Sequence, residues 1–429
     1  MTSQLILANG SGVALASDSA TSLDIGRYVY ETKEKIVPLS EPHQIAVVGA
    51  GLADFYKLPT KVVVRQWDRS LGDERLSSVE EYRDRFMSWL AHSLDELASP
   101  EQRDRRAFEF FSRRDGYLQR LSRRLERKLE QAESPKGAGD EEPPESIETR
   151  VLGLLRERNQ ELMNLPGSHV ISAAAESQVI SAELVEGTFE RLWNGAGDDR
   201  PVLGSAIEEA FEWLPRSEEI EQEIHTNIKF AIEKNPWFPI DFSKILLSFA
   251  GYGSDDLLPE ISSVDLAGAF GEHVWFRDVP CRHSRDEEFF CRVHSQAQDD
   301  QITQFLTGIG HFGREVVERS RHQVHAEWDK FDYSQRTRER LSHAYDDAIG
   351  SLIEEAARFG REVELGRAMK GLATMSLDEL ANTARSLVDL QKMKKAVMTD
   401  FPDVGGRIMV ATITLHEGFQ WVTPNEPAT

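Results

Sequence analysis

The sequence predicts an α+β fold: two sheets between two helical layers, interrupted by a long helical insertion. Three observations predict it. Short apolar runs punctuated by turn residues open the chain and return after residue 244. Helical periodicity follows each set of runs, and each sheet needs its second face covered. Between the two sets, roughly Leu94 to Asn235 reads as charged helix.

Gln4 to Ala8 and Val13 to Ser17 are strand patterns flanking Asn9-Gly10, a strong hairpin signal. Lys35 to Leu39 and Gln44 to Val48 are the next strands, the latter closed by Gly49-Ala50-Gly51. From Leu52 the pattern turns helical, with Pro59 restarting it, and Ser78-Val79-Glu80-Glu81 reads as a capping box opening a second helix. Strands return at Lys244 to Gly251, Glu260 to Val264 and His273 to Val279. A helix is expected from Asp299 through Gly308-Ile309-Gly310 towards Phe331, and another from the capping box at Ser376 to about Met398. Arg407 to Thr414 and Gly418 to Val422 complete the set. The domain reading is residues 1–93 and 240–429 as two halves of one domain, with 94–239 inserted. Within the insertion, Glu133 to Glu145 has the Pro, Gly and Glu content of a linker.

Composition narrows the function. The chain carries 73 acidic against 50 basic residues, a net charge of −23 that argues against nucleic acid or an anionic membrane as main partner. Within it, Arg103 to Lys128 holds 10 basic and 4 acidic residues, read as a solvated helix face opposite an acidic neighbour, or as a clamp for an acidic partner. Only 2 cysteines occur, too few for a disulfide framework, so a reducing, cytoplasmic setting is expected. No apolar run approaches the roughly 20 residues that span a bilayer. No phosphate-cradling glycine loop is present, and no cofactor is expected.

Chemistry concentrates at the N-terminus. Threonine is small enough to follow a processed methionine, so removal of Met1 exposes Thr2, whose hydroxyl and α-amine are a nucleophile and a base on one residue. An α-amine titrates near pH 7.7–8 in reference peptides, leaving a useful neutral fraction at pH 7. Asp18 lies 16 positions on, across one complete hairpin, and Lys35 a further 17. A buried lysine beside the hydroxyl favours its ionisation, and Asp18 holds that lysine charged.

Thr2, Asp18 within Leu15-Ala16-Ser17-Asp18-Ser19-Ala20-Thr21, and Lys35-Ile36 resemble the threonine, aspartate and lysine of proteasome β-type subunits. HslV and Anbu share them; all are N-terminal-nucleophile (Ntn) hydrolases. Ala46 to Phe55 is similar to the family's glycine-bearing strand end and following helix, and Leu246 to Gly251 with Pro259 to Asp265 to its middle hairpin. Val404-Gly405-Gly406 and the strand to Thr414 resemble its Ser-Gly-Gly turn. The resemblance covers about residues 2–90, 240–312 and 375–423. It implies a proteasome-like four-layer αββα sandwich and a threonine peptidase cutting peptide or amide bonds. Catalysis falls to Thr2, Asp18, Lys35 and the Gly49 amide as oxyanion donor, with Thr21 and Gly49 on the substrate. Ile309 and Val404 stand where accessory serines are usual, and Asp400 or Asp403 is the candidate accessory aspartate. The implied partners are further copies in a ring, an unfolded or peptide substrate, and a separate ATP-driven unfoldase. A non-catalytic scaffold subunit and an amidase for a small molecule are the alternatives.

One metal candidate stands apart. Cys281, His283, Cys291 and His294 fall within 14 positions, and two thiolates with two imidazoles suit tetrahedral zinc. The competing reading is a surface loop with reduced thiols. Glu318, His322 and His325 share one helix face, as a solvated stripe or a metal site, and His311 follows the Gly308 turn.

Overall fold

The computed structural model describes residues 2–23, 28–30, 34–51, 54–113, 116–133, 146–165, 167, 169–194, 203–214, 217–234, 245–283, 289–307, 320, 323–328, 330–331, 333–398 and 404–422. The protein is mixed α and β. In chain order its strands are β1 (Ser3–Asn9), β2 (Gly12–Asp18), β3 (Thr21–Leu23), β4 (Tyr28–Tyr30), β5 (Ile36–Pro38), β6 (Gln44–Gly51), β7 (Asp54–Phe55), β8 (Leu58–Pro59), β9 (His169–Ser172), β10 (Ala175–Val179), β11 (Ile245–Tyr252), β12 (Glu260–Phe270), β13 (His273–Val279), β14 (Arg282–His283), β15 (Cys291–Ala297), β16 (Ile408–Thr414) and β17 (Gly418–Trp421). One sheet runs β14-β15-β1-β2-β16-β17 and the other β10-β9-β13-β12-β11-β6-β5. Neighbours within both pair antiparallel.

Both halves of the chain contribute to both sheets. β1 pairs β15, β2 pairs β16 and β6 pairs β11, so residues 1–93 and 240–429 interleave strand by strand. Alternation sorts the side chains. Ile6, Ala8, Val13, Leu15, Ala411 and Ile413 of the first sheet share one apolar cluster with Ile36, Ala46, Val48, Ala250 and Ile261 of the second. Leu5, Leu7, Ala14 and Ala16 point the other way, into a cluster with helices Asp300–Thr307, Leu365–Ala373 and Leu377–Met398. Likewise Ile45, Val47, Leu247 and Phe249 pack with helices Thr60–Leu71 and Val79–His92, where Trp67 meets Phe86 and Phe249 edge-on. Each fully buried large side chain of this kind adds about 1.5–3 kcal/mol from apolar burial.

Both expected helices form, but only the capping box at Ser376 is reciprocal; at Ser78 the Glu81 carboxylate accepts from Ser77 instead. The Ser78 hydroxyl accepts the Glu81 N–H, and Glu379 and Ser376 cap each other. The first hairpin turns one residue later than the dipeptide suggests. Asn9 pairs with Gly12, so Gly10 and Ser11 form the turn. Asn9 has other work: its Nδ2 donates to the Leu372 and Met375 carbonyls and its Oδ1 accepts the Ser11 N–H. Gly12 has φ +145, and a Cβ there lies 2.6 Å from the Ile413 carbonyl oxygen.

The segment 94–239 departs from an all-helical insertion. Its helices include Pro100–Ser112, Tyr117–Glu133, Ile147–Met163, Ala182–Asn194 and Glu218–Lys234, but it also supplies the hairpin β9–β10. β9 pairs with β13, so the insertion extends the second sheet at its edge. Its own core of Leu118, Leu121, Leu125, Val151, Leu155, Ile224 and Ile228 joins the sheet through Trp275. Carboxylates meet the basic run: Arg103, buried rather than solvated, pairs with Asp95, Arg124 with Glu161 and Lys128 with Glu157. Of the linker candidate, Glu133 to Glu145, the first residue ends the helix Tyr117–Glu133 and residues 134–145 lie outside the described residues.

The third correction is β15. The segment from Cys281 to His294, expected as a surface loop if it holds no zinc, runs into a full strand in register with β1 from Ser3↔Ala297 to Asn9↔Cys291. The helix expected from Asp299 is described over Asp300–Thr307; residues 308–319 lie outside the described residues. The helices Gln335–Phe359 and Leu365–Ala373, joined by a π-helical turn at Gly360–Glu364, were not anticipated.

Candidate active site

The first hairpin returns Asp18 to the start of the chain. Asp18 is fully buried, and its Oδ1 accepts both the Ser3 N–H at 3.0 Å and the Lys35 ammonium at 2.7 Å. Its Oδ2 accepts the Gly405 N–H at 3.1 Å. Thus Asp18 gathers three donors from three parts of the chain, and Lys35 Nζ shares an oxygen with the peptide that follows Thr2. The Lys35 side chain is 8% exposed. An ion pair this deep recovers its desolvation cost only with such additional hydrogen bonds.

Thr2 itself is buried, at 6% exposure. Its carbonyl accepts the Gln298 N–H at 2.9 Å, continuing the β1–β15 ladder by one residue. Strand alternation places the Thr2 side chain on the face of Gln4, Ile6 and Ala8, towards the second sheet. The turn carrying Val404 closes the far side. Val404 is buried, the Gly405 carbonyl accepts the Ala20 N–H, and the Arg407 N–H donates to the Ser19 hydroxyl.

Gly49 requires a correction. Its N–H donates to the Lys35 carbonyl at 2.8 Å, and its own carbonyl accepts from Gln4 Nε2 at 2.6 Å. Its amide is therefore spent inside the fold and is not the donor for a developing oxyanion. In a strand, N–H groups alternate between edges. The next N–H on the edge that Gly49 presents to β5 belongs to Gly51, which lies beyond the end of β5, is exposed and has φ +80.

Thr21 lies in β3 opposite Tyr30. Asp400, Asp403, Ile309, His311, Glu318 and His322 lie outside the described residues. His325 is engaged by Asp346, Ser342 and the rings of Trp328 and Tyr345.

The zinc candidate also requires correction. Cys291 and His294 are three apart on β15, so they face opposite sides. Cys291 joins the apolar cluster beneath the helices, and His294 Nε2 meets the Ser263 hydroxyl between the sheets. Cys281 Sγ contacts the Val293 carbonyl oxygen, and the His283 side chain lies outside the description. Burial pushes the Cys291 thiol up to about 12, the reverse of what a thiolate ligand needs. Among the described residues no cluster of three metal-ligating side chains forms.

Three polar side chains at this corner escaped the sequence reading: Gln4, Ser17 and Gln296, all buried. Their signal was present as polar residues on inward positions of otherwise apolar strands. No protein-family profile matches the chain, and no curated protein matches it. Among the described residues no helix is long and apolar enough to cross a membrane.

Proposed function

We propose that the protein is a threonine-type amidohydrolase, a proteasome-like peptidase whose nucleophile is Thr2 after removal of Met1. The fold is then the four-layer αββα sandwich of Ntn hydrolases, with the 94–239 segment attached at a sheet edge. One observation carries this reading. A buried carboxylate, Asp18, holds a buried ammonium, Lys35, against the peptide linking residues 2 and 3. Structural stability alone gives little reason to sink that pair under the chain start, since a well-packed apolar pair is often as stable.

In the mechanism, Thr2 Oγ attacks the scissile carbonyl and the free Thr2 amine takes the hydroxyl proton. The tetrahedral adduct collapses to an ester as its C–N bond breaks and the Thr2 ammonium passes its proton to the departing amine; a water then hydrolyses the ester, releasing the acid and restoring Thr2. Lys35 supplies positive potential near Thr2, and Asp18 keeps it oriented. The oxyanion falls to the Gly51 N–H rather than that of Gly49. The ring of copies, the unfoldase and the cytoplasmic setting come with the same family reading.

The test is turnover of fluorogenic peptide amides by wild type and Thr2→Ala, with the N-terminal residue read by mass spectrometry. A free Thr2 and a loss of at least a hundredfold in Thr2→Ala are expected. Retained Met1, or equal background rates, would leave a scaffold subunit as the better reading.

A further inference from the structure

We propose that Gln4 is a positioning residue for this reaction, its carboxamide tying the strand that bears Asp18 to the strand end that bears Gly51. The proposal rests on the reading of Thr2 as nucleophile. Gln4 is 1% exposed and lies two residues from Thr2 on the same strand face. Its Nε2 donates to the Gly49 carbonyl at 2.6 Å and to the Ser17 hydroxyl at 3.2 Å. The orientation of the carboxamide is forced by its partners. A backbone carbonyl only accepts, and the Ser17 hydroxyl proton goes to the Asp18 carbonyl, so both sites demand N–H donors.

The cost of this arrangement is visible. Gln4 Oε1 is buried without a protein donor, as is Oε1 of Gln296, its cross-strand partner. An acceptor buried without a donor is destabilising. The positions that follow on the same face, Ile6 and Ala8, are apolar. What sets position 4 apart from them is the pair of bonds its carboxamide donates. Gly49 is held at both ends, its N–H by the Lys35 carbonyl and its C=O by Gln4, which fixes the Gly49–Ala50 peptide, one step before the peptide that carries the Gly51 N–H. Gln4 touches none of the reacting atoms and acts through the direction of the Gly51 N–H.

The experiment compares wild type with Gln4→Met, close in length but without donors, and with Ser17→Ala, which keeps the Gly49 bond. Two readouts are taken on the full chain. In turnover of the peptide amides, Gln4→Met is expected to lower kcat by about a hundredfold, as for a misplaced oxyanion donor, with KM within about twofold. Ser17→Ala is expected to stay within about threefold in both. In mass-spectrometric hydrogen exchange, residues 46–51 of Gln4→Met exchange at least about tenfold faster while β15 keeps its protection. A folded Gln4→Met with wild-type kcat, or with unchanged exchange at 46–51, overturns the proposal. Wild type no faster than Thr2→Ala instead removes the reading of Thr2, and exchange alone then judges the tether. If Gln4→Met does not fold, Gln4→Leu, which also lacks both N–H donors, takes its place in both measurements.

Discussion

Two corners of one sheet carry chemistry-bearing residues, and strand geometry treats them in opposite ways. Thr2, Asp18 and Lys35 are 33 residues apart from first to last, yet two chain reversals bring Asp18 and Lys35 into contact beside the second residue. Cys281, His283, Cys291 and His294 crowd into 14 positions, yet alternation along β15 sends Cys291 and His294 to opposite faces. Proximity in sequence counts for little within a strand. Spacing across a hairpin counts for much, because the turn sets which residues meet.

The largest effect expected is on the first corner. Lys35→Met strands a buried carboxylate and Asp18→Asn a buried ammonium, so each is expected to lower the unfolding free energy by about 3–5 kcal/mol. The double variant should cost less than the sum, because no charge is then left alone. Denaturant titration of the four proteins checks this. Losses below about 1 kcal/mol in both single variants would show that the pair is not coupled, and the contrast between the corners would collapse.

A smaller effect separates the two glycines. Gly51 adopts φ +80, so Gly51→Ala carries about 1–2 kcal/mol of backbone strain and disturbs the proposed oxyanion donor. At Gly49 an added methyl meets Thr60 Cγ2 at 3.6 Å and Leu247 Cδ2 at 3.7 Å, ordinary contacts on the helix side of the sheet. Gly49→Ala is therefore expected within about 1 kcal/mol of wild type, with turnover largely retained. Parallel melts and peptide kinetics check the pair. Equal loss of kcat in both would return the oxyanion role to Gly49.

What was legible in the sequence follows the same division. Strands β1, β2, β13 and β16 could be read because short apolar runs and turn residues agree there, and the helix starts at Ser78 and Ser376 are local chemistry. The Asp18–Lys35 contact was legible from hairpin spacing. β15 was not, because its inward residues are Arg292, His294 and Gln296, polar groups facing Ser263 and Ser248 between the sheets. That leaves only a short apolar face, Cys291 and Val293 under the helices, and the Cys and His content suggested a metal. Nor was the fate of the Gly49 amide legible. It depends on which edge of β6 faces β5, a matter of register that a glycine motif does not encode. The hairpin β9–β10 escaped for a similar reason: its place is fixed by pairing with β13, about a hundred residues later.

The smallest effect tests the second corner. Burial raises the Cys291 thiol to about 12, with Cys281 adding to the shift, while Cys281 is half-buried. A raised pKa keeps the thiol protonated, so at pH 8 only roughly one Cys291 in ten thousand is thiolate, and the thiolate is the reactive form. Alkylation of the native protein at pH 8 is therefore expected to modify Cys281 and spare Cys291 until denaturant is added, as read by peptide mass. Cys281→Ser should leave stability within about 0.5 kcal/mol, whereas Cys291→Ser places a hydroxyl in the apolar cluster under the helices and should cost about 1–3 kcal/mol. Rapid labelling of Cys291 in the native protein would overturn its burial, and a stoichiometric zinc ion that protects both thiols from labelling would mean that β15 does not send Cys291 and His294 to opposite faces. The strand alternation that removes the metal reading would then fail, and with it the assignment of Gln4 and Gln296 to the same inward face.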